Sequence, residues 1–375
     1  VLNGARTKRA APRVLMIGTA LGGRGGVAAV VDTLRSAGLF ERESVHYLSS
    51  HREGSASVKA GAAIKAVCLT GLACLRARTV RPAIVHVHCA SRASFARKSL
   101  LLAIARLAGC RTVFHLHGGE FRLFAGTESG AALRWWIRRT LERSSAVVAL
   151  SDSWAGFVRG YAPAARVVVV PNPVALPAAV ADAGEGPDER SGEQAARILF
   201  LGRAETGKGV FELVAAVAAL ADAFPAIRLV IGGSGDLAHV RRYAAALNIA
   251  ERLETPGWLD PHQKARELAR AQIFCLPSHA EGLPMAMLEA MAAGKAVVVT
   301  RVGAMPEAIE DRANGMLVPP RDVPALAAAL AALLSDDALR TRLGGQARAT
   351  VVQRFSTEVA LAKLAALYLD LVNGK

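Results

Sequence analysis

Acidic residues are scarce in the first half of this 375-residue chain. Residues 1–180 carry 25 lysines and arginines against 8 aspartates and glutamates, a balance of +17, while the remainder carries 21 against 23. Such asymmetry points to an anionic partner for the N-terminal half. Nucleic acid fits poorly, because no helix-turn-helix, zinc-finger or RNA-binding signature accompanies the charge. An anionic membrane surface or a diphosphate-linked lipid fits better. Cysteine is sparse too. Cys68, Cys74, Cys89, Cys110 and Cys275 form no C-x-x-C pair, and an odd count without a framework predicts reduced thiols, as in a cytosol. Long apolar runs are also missing: the longest, Ala66 to Leu75, lies between Lys65 and Arg76 and is short of a membrane span. Residues 1–12 are polar and basic and lead straight into a strand, with no secretory pattern. The expectation is a cytoplasmic protein, peripheral on the inner face of a membrane.

What is present is a core-forming composition, 52% hydrophobic and 21% charged, over a length that favours two or three domains. Apolar strand candidates (Val14–Ile17, Ile84–His88, Thr112–Leu116, Ala146–Leu150, Val167–Val170) alternate with helical runs such as Lys98–Ala108 and Arg134–Glu142. That alternation predicts an α/β fold, a parallel sheet with crossover helices. A stretch rich in Ala, Gly, Pro, Asp and Glu at 178–195 predicts a linker after a first domain, 1–177. A second α/β unit, 196–350, follows with strands at Arg197–Leu201, Ile227–Ile231, Ile273–Leu276 and Ala296–Thr300, and a terminal helical segment occupies 351–375. Within the first domain, Arg134-Trp-Trp-Ile-Arg-Arg139 sets two tryptophans among three arginines. It reads either as an interfacial anchor or as a helix that buries Trp135 and Trp136 and turns its arginines to water.

Three segments carry chemistry. In Ser278-His-Ala-Glu281-Gly-Leu-Pro-Met-Ala-Met-Leu-Glu289, two glutamates seven apart flank a strand-to-helix turn. Glu281 falls in the loop and Glu289 about one turn into the helix, at the carboxyl edge of a parallel sheet, where ligands bind. Backbone amides from Gly282 and Leu283 onward face that helix N-terminus, suited to an anion or to sugar hydroxyls. In Gly202-Arg-Ala-Glu-Thr-Gly-Lys-Gly209, glycines let the loop bend toward a ligand while Arg203 and Lys208 converge on one diphosphate. Gly22-Gly-Arg-Gly-Gly-Val27 opens the first domain as a glycine loop, but its spacing is wrong for a dinucleotide fingerprint. Histidines cluster at two strand ends, His86-Val-His88 and His115-Leu-His117-Gly-Gly-Glu120. Alternate residues of a strand share a face, yet neither pair has a suitably spaced third ligand, so the expectation is no metal.

The glutamate segment and the G-R-x4-K-G segment closely resemble those of retaining glycosyltransferases of family 4, which have two Rossmann-like domains (the GT-B arrangement). The resemblance covers nearly the whole chain, tightly from Ile198 to Val318. It implies two parallel-sheet domains facing across a cleft, with a C-terminal helix, begun near Arg354-Phe-Ser356, crossing back to the first domain. It implies that Arg203 and Lys208 hold the donor's diphosphate, that Glu289 holds the ribose, and that Gly25 and Gly26 line the donor site. His117 and Glu281 match positions that contact the transferred sugar. A hexose would pass from a UDP- or GDP-linked donor to a saccharide or lipid-linked acceptor, in cell-surface polysaccharide or glycolipid synthesis, with no separate cofactor. Retention would follow from same-face attack, the leaving phosphate taking the acceptor's proton. No D-x-D occurs, which argues against holding the donor through a divalent ion. A sugar-nucleotide epimerase and a non-catalytic nucleotide-sugar-binding module share the architecture and stay open alternatives; a dehydrogenase is weakest.

Overall fold

The computed structural model describes residues 14–23, 25–51, 54–76, 82–177 and 196–374. The expected linker, 178–195, lies outside them. Two compact units emerge: Val1–Pro171 with Ala360–Lys375, and Asn172–Val359.

The first unit runs β1 (Val14–Gly18), α1 (Gly26–Ser36), α2 (Leu39–Arg42), β2 (Val45–Ser49), α3 (Ala56–Cys74), β3 (Ile84–Cys89), α4 (Ala93–Leu107), β4 (Arg111–Leu116), α5 (Phe121–Ala125), α6 (Ala131–Glu142), β5 (Ala146–Ala149), α7 (Asp152–Tyr161) and β6 (Val167–Val169). Its six strands are parallel in the order β2-β1-β3-β4-β5-β6. β1 and β3 are buried along their whole length, as central strands covered on both faces must be. The second unit runs β7 (Arg197–Leu201), a 3₁₀ turn Thr206–Lys208, α8 (Val210–Leu220), β8 (Arg228–Gly232), α9 (Leu237–Ala246), β9 (Leu253–Gly257), α10 (Pro261–Arg270), β10 (Ile273–Leu276), α11 (Met285–Ala292), β11 (Ala296–Thr300), α12 (Met305–Ala308), β12 (Met316–Val318), α13 (Val323–Ser335) and α14 (Asp337–Arg354). Its sheet is also parallel, ordered β12-β11-β10-β7-β8-β9. The order reverses between β7 and β10, so the loops after these two strands flank the crevice where open α/β sheets take their ligands. The last helix, α15 (Thr357–Asn373), begins in the second unit, and its residues from Ala360 onward cluster with the first. Leu364, Leu367, Tyr368 and Leu371 are its buried stripe.

Of two N-terminal helices, one departs from the sequence reading and the other bears on the two alternatives left open for the tryptophan pair. α3 spans 19 residues, starting ten residues before the apolar run read from the sequence, because Ser55 caps it by accepting from the Val58 amide. By length and composition it would suffice to cross a membrane. Only Ala66, Thr70 and Cys74 of it are buried, while Val58, Ile64, Leu69 and Leu72 are exposed. α6 does not bury its tryptophans: Trp135 is 67% exposed and Trp136 40% exposed, the latter touching Phe95 edge-on at 5.4 Å.

Candidate active site

In the second unit, β7 feeds the Gly202–Gly209 loop and β10 feeds the loop leading to α11. These two loops are fastened together. The His279 amide donates to the Gly207 carbonyl (2.9 Å), and Gly209 sits so close to Pro277 that a Cβ there would lie 1.9 Å from the Pro277 oxygen. With φ at +69° as well, position 209 admits glycine alone at low cost. The contact brings the end of the cationic loop onto the acidic one. Lys208 Nζ lies 2.6 Å from Glu281 Oε1, and Ser278 Oγ donates to the same oxygen at 2.9 Å. Glu281 is thereby held in place, its side chain 11% exposed.

From the other side, the Ala304 amide donates to the Gly282 carbonyl, and Asn172 Nδ2 donates to the Leu283 carbonyl at 2.7 Å. Gly282 and Leu283 are therefore buried and tied through their carbonyls. Gly303 closes this bracket. A Cβ there would stand 2.0 Å from the Glu281 oxygen. Pro284 then starts α11 with no side chain capping its first turn, so donors remain for a ligand. Glu289, one turn in, accepts from Lys264 Nζ at 2.6 Å. Lys264 stands on α10, which a capping box of Asp260 and Gln263 initiates.

Three of the expected site residues thus fall in two lysine–glutamate pairs, Lys208–Glu281 and Lys264–Glu289, and only the first joins two of them directly. Arg203 turns instead to its neighbour Glu205 (3.2 Å) on the surface, where an ion pair contributes little and yields readily to a better anion. Lys264, Ser278, Asn172 and Gly303 were not assigned from sequence. The Asp260-Pro-x-Gln263 cap could have placed Lys264 near the start of a helix. Nothing in the local pattern pairs it with Glu289, 25 residues on.

In the first unit, Gly25 and Gly26 occupy the N-terminus of α1 and are exposed. The Gly22 amide of the same loop donates to Asp32 Oδ2 on α1. His117 follows β4 directly, half-buried, its amide bonded to the Cys89 carbonyl at the end of β3. Register pairs His88 with His115, so both histidine pairs lie on one face of adjacent strands. One ring nitrogen each of His86, His88 and His115 comes within 4.8 Å of the others. Topology therefore supplies the third histidine that spacing within each strand did not, and the sequence argument against a metal loses that premise.

The bonding pattern describes a different arrangement. His86 uses both nitrogens, Nδ1 with the Tyr368 hydroxyl (2.6 Å) and Nε2 with His115 Nδ1 (3.1 Å). His88 Nδ1 meets His117 Nε2 at 2.8 Å. Burial, reinforced by repulsion from His117, pushes His86 down to about 3. Burial and the neighbouring rings hold His88 and His115 well below the ordinary histidine value, and Lys98 adds to the effect at His88. The cluster is a stack of neutral imidazoles in a cationic surrounding, with Tyr368 at one end and His117 at the other.

Comparison with known proteins follows the same division. Residues 13–176 match the family model for glycosyltransferase family 4, and residues 186–350 match that for glycosyl transferases group 1. The chain is 28% identical over 315 residues to glycogen synthase of Mycobacterium tuberculosis, covering 80% of this chain and 71% of that protein. It is 37% identical over 180 residues to phosphatidyl-myo-inositol mannosyltransferase of Mycolicibacterium smegmatis, covering 47% of this chain and 45% of the relative. Among solved structures, sucrose-phosphate synthase from Thermosynechococcus elongatus superposes with a TM-score of 0.75 at 20% identity, covering 97% of this chain and 100% of that one. Anabaena Alr3699/HepE in complex with UDP superposes with a TM-score of 0.74 at 16% identity, covering 95% and 99%. These two likenesses establish the shared two-domain fold.

Proposed function

Since this chain belongs to the glycosyltransferases that pair a family 4 domain with a group 1 domain, we propose that it moves a hexose from a UDP- or GDP-linked donor to a saccharide or lipid-linked acceptor, with retention at the sugar carbon. The observation that carries this reading is the switch-point site of the second unit, where Lys208 and Glu281 meet at 2.6 Å beside the uncapped start of α11. The group to be transferred leaves as a nucleoside diphosphate. Charge that builds on the leaving oxygen needs fixed donors. Lys208, Arg203 and the first-turn amides of α11 supply them without a divalent ion. The diphosphate draws Lys208 away from Glu281, which frees that carboxylate to accept from a sugar hydroxyl. Glu289 exchanges Lys264 for ribose hydroxyls in the same way.

Glu281 is assigned to holding the sugar and not to attacking it, with one of its oxygens accepting from the Ser278 hydroxyl. Same-face attack, with the leaving phosphate taking the acceptor's proton, asks nothing of it beyond holding the sugar. His117, in the first unit, is assigned to the transferred sugar, and Gly25 and Gly26 to the donor site. The relatives' names support a sugar-transfer role: one is a glycogen synthase and the other a phosphatidyl-myo-inositol mannosyltransferase. A panel of labelled UDP- and GDP-hexoses, with and without lipid-linked saccharide, tests the assignment. Transfer needs the acceptor, and label that rearranges without one would point to an epimerase.

A lipid-linked acceptor would place the enzyme at an anionic membrane surface. Support comes from the excess of 25 basic over 8 acidic residues in 1–180 and from exposed Trp135 and Trp136 among Arg134, Arg138 and Arg139. The exposed apolar side of α3, a helix whose only charges are Lys59 and Lys65, adds to it. Attraction of about 1 kcal/mol per engaged basic residue suffices for reversible attachment with a few contacts. Apolar side chains at the interface add burial to that charge attraction.

A further inference from the structure

We propose that the groove between α3 and α4 seats the hydrocarbon chain of a lipid-linked acceptor, with Arg97 at its head binding the phosphate that joins chain to saccharide. The inference rests on the reading of the acceptor as lipid-linked. The two helices pack side by side and leave between them a groove of about 240 Å³. Buried Leu101 lines it from within, while Ile64, Cys68 and Leu100 stand exposed along its rim. Ser50 directly follows β2, and Arg97 stands in the second turn of α4, which leaves the carboxyl end of β3. Both therefore mark the end of the groove nearest the carboxyl edge of the sheet, where open α/β sheets take their ligands. A saccharide held at that edge would have its chain leading away between the helices.

Charge selects the occupant. α3 and α4 together carry Lys59, Lys65, Arg97, Lys98 and Arg106 and no carboxylate. The Ser50 hydroxyl is engaged with the Gly18 carbonyl at 3.0 Å, so the polar group left facing the groove is the Arg97 guanidinium. Its Nε is buried with no hydrogen-bond partner among the described residues. Lys98 beside it is buried as well, and its ammonium donates to the Ser94 hydroxyl, 3.1 Å away. The one acidic group that bears on both, the Cys89 thiol, stays neutral, because burial pushes it up to about 12. Cations taken out of water without a counter-charge are costly. A phosphate brought against Arg97 relieves that cost through charge-assisted hydrogen bonds. A neutral chain would leave the guanidinium unanswered, and a free phosphate would leave the apolar walls wet. A chain that ends in a phosphate satisfies both.

The groove carries its own reporter. Cys68 is exposed at the rim, whereas Cys74, Cys89, Cys110 and Cys275 are buried, so brief alkylation of the folded chain with N-ethylmaleimide reads Cys68. Decyl phosphate below its micelle concentration is the probe, with decyl maltoside and inorganic phosphate as controls. Decyl phosphate is expected to slow alkylation of the parent several-fold, and neither control should do so at the same concentration. Arg97→Gln should raise the concentration for half-protection about tenfold or more, as the loss of a charge-assisted hydrogen bond requires. Ile64→Gln, at an exposed position, should also raise it while the fold stays intact. Absence of protection by decyl phosphate overturns the groove as a chain site. Equal protection by decyl maltoside, or protection that Arg97→Gln leaves unchanged, overturns the phosphate contact.

Transfer kinetics separate this proposal from the reading it rests on. Where the parent transfers to a lipid-linked saccharide, Arg97→Gln and Ile64→Gln should raise the KM of that acceptor and not of the donor. An unchanged acceptor KM overturns the proposal while the lipid-linked reading stands. A parent that transfers to lipid-free saccharides alone overturns that reading, and the groove's role with it, whatever decyl phosphate does.

Discussion

Acidification from pH 7 to pH 5 is expected to destabilise the N-terminal unit steeply, through the three buried imidazoles of β3 and β4. Burial holds His86 at about 3 in the folded chain, and His88 and His115 well below the ordinary value. In the unfolded chain each reverts to about 6.5. The unfolded state therefore binds more protons throughout this window. Stability that is fully present above about pH 6.5 is lost as the pH falls toward the folded-state values. With the folded rings neutral at pH 5, each histidine costs roughly 2 kcal/mol relative to pH 7, so the three together remove about 6 kcal/mol. A whole domain has only about 5–15 kcal/mol to lose. Lys98, pushed down to about 8 by burial, acts at the other end: its penalty is full below about pH 8 and is relieved as the pH rises to about 10.5, so it adds no slope below pH 7.

Urea unfolding followed by tryptophan fluorescence in a Trp258→Phe background reads this unit alone, because the other three tryptophans, Trp135, Trp136 and Trp154, lie within it. The expected slope near pH 5 is about 4 kcal/mol per pH unit, and His115→Phe should remove about a third of it. Stability that is flat between pH 7 and pH 5, or a slope unchanged in His115→Phe, would refute the picture of neutral buried imidazoles.

Other expectations follow from the pairs in the second unit and the surface of the first. Glu289→Ala should weaken free nucleotide by about 1–3 kcal/mol and strand Lys264, whereas Glu281→Ala should spare free nucleotide and lower turnover; equal binding losses would contradict this division. Gly209→Ala places a Cβ 1.9 Å from the Pro277 oxygen at positive φ, so its melting temperature should fall by several degrees or its expression should fail. An Ala at 209 that melts with the parent would show that the two loops are not pinned there. Trp135→Ala with Trp136→Ala should reduce co-sedimentation with anionic vesicles at low salt, and 1 M salt should weaken the remaining binding as the Debye length shrinks to about 3 Å. Equal binding to neutral and anionic vesicles would remove the charge argument for membrane attachment.

Much of the architecture was legible because the central strands are continuous apolar runs, which local pattern alone identifies. β2 (Val45-His-Tyr-Leu-Ser49) and β9 (Leu253-Glu-Thr-Pro-Gly257) were not, because half-buried edge strands mix polar and apolar residues and resemble loops. The length of α3 was missed for a related reason. Its two lysines interrupt the apolar run without interrupting the helix. At the candidate site, the segments that hold Arg203, Lys208, Glu281 and Glu289 were visible as spacing within one loop or helix. The partners Lys264 and Asn172 were not, since strand order and loop closure bring them in from distant sequence. The histidine array shows the limit most clearly: each H-x-H pair was plain, yet only the β3–β4 register makes four rings into one stack.

Titration calorimetry of the parent, Arg203→Ala and Lys208→Ala with UDP, GDP and the matching nucleosides tests the central claim most directly. One diphosphate is expected to bind the parent. Each substitution should then weaken the diphosphate by about 1.5–3 kcal/mol, the range for hydrogen bonds to charged groups, and leave the nucleoside nearly unchanged. A parent that binds neither diphosphate, or variants that lose nucleoside and diphosphate equally, would contradict the assignment of the Gly202–Gly209 loop as the diphosphate cradle of a glycosyltransferase.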